Sequence, residues 1–110
     1  MKPKWLLKPL LRAIFLEETC RLLLAEQAEK SKLYRVAAVE YRACTLLDDS
    51  AVNNYKLGRC LIDADSMSRA HLALKTAMSK NWTKEEQVDK TACQSLLDEI
   101  ESKNRVVRGN

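Results

Sequence analysis

Residues 34–49, YRVAAVEYRACTLLDD, impose the strongest constraint on this chain, because their pattern returns 33 residues later. Ala37, Tyr41 and Cys44 are answered by Ala70, Leu74 and Ala77, so small, large and small side chains follow in the same order. The segment before keeps the same offset, with Leu24, Ala25 and Ala28 answered by Leu57, Gly58 and Leu61. A period of this length is what stacked helical hairpins produce, each unit burying its apolar face on the next. Two Gly and two Pro in 110 residues supply too few turn residues for a sheet. The expected fold is therefore all-α, in a single domain.

The punctuation agrees with the period. A first hairpin occupies residues 18–50, with helices at about 18–30 and from Ser31, read as an N-cap, to Leu47. The Asp48-Asp49-Ser50 cluster breaks the chain and offers Ser50 as the next cap. A second hairpin occupies residues 51–82, with helices at 51–63 and 67–79 around the turn at Asp65-Ser66. Thr83 and Glu86 have the spacing of a capping box, which opens a last helix over 83–103 with Val88, Ala92, Leu96, Leu97 and Ile100 on one face. One apolar and one wet face suit a terminal capping helix. Residues 104–110 read as a frayed basic tail.

Residues 1–17 are surplus to the period. MKPKWLLKPLLRAIFL carries four basic residues and no acid, and Pro9 suits the first turn of a helix running on to Lys30. Lys8 and Arg12 interrupt the apolar run, so it is neither a secretory signal nor a bilayer span. Three placements stay open for Leu7, Leu11, Phe15 and their apolar neighbours. They could fold back as a further core layer, or form an interface with a partner or a second copy. They could also lie on a membrane surface or serve as an organelle presequence, since basic residues beside Trp, Leu and Phe suit an interfacial helix.

The net charge of +4 is concentrated at the ends: Lys2, Lys4, Lys8 and Arg12 at one, Lys103, Arg105 and Arg108 at the other. Between them 12 basic residues face all 15 acidic ones, which argues against nucleic-acid binding, since that needs a basic stripe on the body. Cys20, Cys44, Cys60 and Cys93 have no Cys-x-x-Cys spacing, and His71 is the one histidine. They read as reduced, mostly buried thiols in a reducing, cytoplasmic setting, with no metal site and no cofactor. His71 has no acid close in sequence, Asp48-Asp49 is better read as a turn than as a catalytic pair, and no Gly-rich phosphate loop exists. No catalytic constellation remains, so a non-enzymatic binding role is expected.

Taken together, Tyr55, Leu57, Gly58, Leu61, Met67, Ala70, Leu74 and Ala77 resemble the tetratricopeptide (TPR) family, as do Tyr34, Ala37, Tyr41 and Cys44 before Leu47-Asp48-Asp49. The resemblance covers residues 18–82 and weakens on the first helix, where Ala28 stands in place of a bulkier residue. It implies about two antiparallel helix hairpins with an extended N-terminal helix and a C-terminal cap, serving as a protein-interaction module. By that likeness Thr19, Leu22, Glu26, Glu29, Val52, Tyr55, Arg59 and Ile62 line an inner groove for a partner's helix or peptide. The clamp of Lys/Arg and Asn by which some TPR domains grip carboxylate tails would fall on Leu22, Glu26 and Lys56 with no third repeat to complete it, so such tails are not the expected ligand. A small secretion-type or assembly chaperone fits the likeness. The alternative is a membrane-associated adaptor held through residues 1–16.

Overall fold

The computed structural model describes residues 4–108, with side chains over residues 8–105. Five helices follow in order: α1 (Lys4–Lys30), α2 (Tyr34–Leu47), α3 (Ala51–Asp63), α4 (Met67–Met78) and, after a 3₁₀ turn at Lys84–Glu86, α5 (Gln87–Arg108). Among the described residues there is no strand. Each helix packs on the next in sequence, and α5 also reaches α3.

The 33-residue period has a backbone counterpart in the turns. At the end of α1, the N–H groups of Ser31, Lys32 and Leu33 donate to Gln27, Glu29 and Ala28 at 2.9–3.0 Å. Thirty-three residues on, Ala64, Asp65 and Ser66 donate to Cys60, Ile62 and Leu61 at 2.8–3.0 Å. Lys32 and Asp65 hold the same left-handed conformation, with φ of 62° and 61°. Such a turn satisfies the last carbonyls of a helix and sends the chain back antiparallel.

Two hydroxyl caps keep the same spacing. Ser50 Oγ accepts the Asn53 N–H at 3.1 Å, and Thr83 forms a complete capping box with Glu86. The expected cap at Ser31 is not found: Ser31 belongs to the left-handed turn, and Leu33 stands at the N-cap of α2 with no side-chain bond.

Packing follows the small–large–small pattern. Ala37, Tyr41, Cys44, Ala70, Leu74 and Ala77 are all fully buried, and Tyr41 and Leu74 are the largest such side chains. Between α3 and α4 the approach is close enough to require glycine. A Cβ on Gly58 would lie 2.6 Å from Leu74 Cδ2 and 2.7 Å from its Cγ. Leu24, the counterpart of half-buried Leu57, is exposed because no described helix covers that side of α1.

Both ends differ from expectation. α1 begins at Lys4 rather than Pro9, since near a helix start the missing proline N–H forfeits only one backbone bond. α5 continues to Arg108 rather than fraying after Lys103, because the sequence offers no Gly or Pro before Gly109. The first half of α1 does not fold back as a core layer: Lys8 to Glu17 are all exposed. It projects as an arm, which stretches the molecule to 62 × 29 × 26 Å. The radius of gyration is 16.2 Å, against about 13 Å for a compact chain of this length.

Gly58→Ala should lower stability by about 1–2 kcal/mol, because overpacking against buried Leu74 outweighs the gain in helix propensity of about 1 kcal/mol. Thermal unfolding followed by circular dichroism checks this. A variant melting at or above the parent temperature would mean that Leu74 yields freely.

Candidate functional site

The expected inner groove is occupied by the chain's own ion pairs. Glu29 on α1 receives the Arg59 fork from α3, Nε to Oε2 at 2.8 Å and Nη2 to Oε1 at 2.7 Å. The Tyr41 hydroxyl of α2 donates to the same Oε1 at 2.9 Å. One carboxylate thus joins three helices. Burial opposes its ionised form, but the bonds from Arg59 and Tyr41 prevail and hold the carboxyl below its usual range. The Tyr41 phenol is pushed up by its own burial and by the Glu29 charge.

The neighbouring positions are likewise engaged. Glu26 pairs with Lys56 at 3.5 Å. Arg59 lies 5.5 Å over the Tyr55 ring, and Tyr55, only 6% exposed, meets Trp82 at a centroid distance of 6.4 Å. Leu22 and Ile62 pack against the core, and Val52 is half-buried. Thr19 turns back on its own helix, donating to the Phe15 carbonyl at 2.9 Å. These side chains are brought together, yet their polar groups are satisfied within the chain.

The second half of α1 is pinned further by Arg21, which bridges Glu17 at 3.4 Å and Glu40 of α2 at 3.2 Å. Beyond that anchor the arm is bare: Leu11 and Phe15 are 60% and 68% exposed, with Leu10, Ile14 and Leu16 beside them. The Leu7 side chain lies outside the described residues.

Among the turn acids, Asp49 is tied into the fold. Asp49 accepts from Lys80 at 2.8 Å and from Asn54 at 2.7 Å, and these bonds, Lys80 first, hold its carboxyl low. His71 does have an acid partner, Glu101 of α5 at 3.2 Å, hidden from the sequence by a separation of thirty positions. Among the described residues no cluster of three His, Cys, Asp or Glu could hold a metal, and no helix is long and apolar enough to cross a membrane.

A different concavity lies on the opposite side of α3. It runs between α2 and α4 over an α3 floor and has a volume of about 840 Å³. Leu57 and Leu61 form its base, while Val39, Leu46 and Leu72 stand along its edges. The period located Leu57 and Leu61 and pairs Val39 with Leu72 at the same offset, but it has no counterparts for Arg35, Leu46 and Arg69, which fall opposite Ser68, Ser79 and Val36. Comparison of the chain with protein-family models, with curated proteins and with solved structures finds no match.

Stability should fall with acid through Glu29. A carboxyl whose folded pKa is lowered contributes fully above the ordinary glutamate range, and its contribution is lost as pH falls through the folded value. Urea unfolding between about pH 6 and pH 3 should therefore be steeper in pH for the parent than for Glu29→Gln. Parallel profiles would remove Glu29 as the cause.

The thiols give a second test. Cys20 is exposed, whereas burial raises Cys44, pushes Cys93 up to about 11 and, with Glu29 nearby, pushes Cys60 up to about 12. Native protein at pH 8 should show one fast-reacting thiol, and unfolded protein four. Two or more fast thiols in the native state would contradict this burial pattern.

Proposed function

We propose that the chain is a TPR-like, non-enzymatic protein-interaction module: two helix hairpins, a capping helix and a projecting arm. The matched turns, the matched caps and the small-residue packing at one offset support the repeat reading. The observation that carries the interaction role is the arm, where Leu10, Leu11, Ile14, Phe15 and Leu16 present apolar surface with nothing from the body against it. Contiguous apolar surface of this kind is characteristic of interfaces. Two hairpins are also few for a stack in which each unit relies on its neighbours. The arm then acts as the contact for a second copy or for a partner's helix, as in a small assembly or secretion-type chaperone. The buried free thiols fit a reducing compartment such as the cytoplasm.

A membrane-associated adaptor is the second reading. The same arm carries exposed Lys8 and Arg12 and no acid through Leu16, which suits an anionic surface.

Light scattering on the full chain separates these readings. The parent should have a mass above that of the 12.6 kDa monomer, and Leu11→Ser with Phe15→Ser should return it to monomer with unchanged helicity. A monomeric parent that floats with anionic vesicles through Leu11 and Phe15 would favour the adaptor. A monomer that does not float would defeat both self-association and membrane attachment through the arm, leaving a partner's helix as its one contact.

A further inference from the structure

We propose that the groove between α2 and α4 is a docking site for an amphipathic helix with acidic flanks, supplied by a partner protein. The proposal rests on reading the chain as an interaction module, but uses a surface separate from the arm and from the self-paired α1–α3 side. Arg35, Val39, Arg42 and Leu46 recur along α2 at three- to four-residue steps, so they share one face of that helix. From α4, Arg69 and Leu72 approach from across the floor. Val39, Leu46 and Leu72 are 66%, 81% and 68% exposed, yet all border one trough whose base is Leu57 and Leu61.

Charge selects the occupant. Arg35, Arg42 and Arg69 flank the trough from both sides, and none has an ion-pair partner among the described residues. Asp65, in the turn at one end, is the one acid in the lining. Arg21, Lys56, Arg59 and Lys80, by contrast, all have carboxylate partners within the fold. The unpaired guanidiniums favour a ligand that brings its own carboxylates, because the planar fork binds a carboxylate through two bonds. The chain's own arm is excluded as occupant: its Lys8 and Arg12 would meet the arginines as like charges, and it carries no acid before Glu17. α2 is 14 residues long, so a ligand helix of about four turns fits along it, with leucines into the trough and glutamates toward either rim.

The test uses the full-length protein and a fluorescent synthetic peptide of about fourteen residues, with leucines along one face and glutamates on both flanks. A control peptide has every glutamate replaced by lysine. The glutamate peptide should bind, more tightly at low salt, and the lysine peptide should not. Arg42→Glu with Arg69→Glu, and separately Leu46→Asp, should each weaken binding about tenfold or more with helicity retained, since these side chains are exposed. Leu11→Ser with Phe15→Ser should leave binding unchanged, which separates failure of the groove from failure of the arm. The proposal is overturned if the glutamate peptide does not bind, if both peptides bind equally, or if the arginine variants retain affinity. Self-association that Leu46→Asp abolishes and the arm variant does not would also overturn it, by making a second copy the occupant.

Discussion

The Glu29 carboxylate is the joint of this molecule. It stands on α1 and accepts from Tyr41 of α2 and from both nitrogens of the Arg59 fork on α3. A half-buried charge is costly unless it is hydrogen-bonded, and here three donors serve it. Glu29 and Arg59 lie thirty positions apart, so the bond ties α1 to α3 across α2. The consequence for function is that the α1–α3 side spends its charges internally. The surfaces left without internal partners are the arm and the trough between α2 and α4, which is where the proposed contacts are placed.

Steric fit supplies the rest of the order. Gly58 lets α4 come so near that Leu74 occupies the space where any other residue would place its Cβ. Ala25, Ala37, Ala70 and Ala77 are fully buried for the same reason: short side chains permit close helix crossings. Beyond them Cys93, Leu97 and Ile100 of α5 extend the same core, and the Cys93 thiol approaches the Leu74 carbonyl at 3.7 Å.

Most of this scaffold was legible in the sequence because burial is periodic. Ala37, Tyr41, Cys44 and their counterparts announced the buried helical faces, and Ser50 and Thr83 announced where helices start. Ser31 misled because a hydroxyl near a helix start reads as a cap, whereas Lys32 in the left-handed region had already fixed the turn. The surfaces were harder to read. Inner-face residues such as Arg59 and Glu26 were identifiable as neighbours, but pairing depends on side-chain reach, which spacing alone does not report. Of the arginines around the α2–α4 groove, Arg35 and Arg69 have no basic counterpart at the same offset, and Lys75, the counterpart of Arg42, is not in the lining, so only the three-dimensional arrangement gathers them.

The account stands on the claim that Glu29 and Arg59 act as one unit joining α1 to α3. A double-mutant cycle with Glu29→Gln, Arg59→Gln and the pair, measured by urea unfolding, tests it directly. The account predicts a coupling of about 1–2 kcal/mol, since the pair is bidentate and half-shielded from solvent. Additive effects, with coupling near zero, would place these residues on an open surface and return the α1–α3 side to the role of a binding groove.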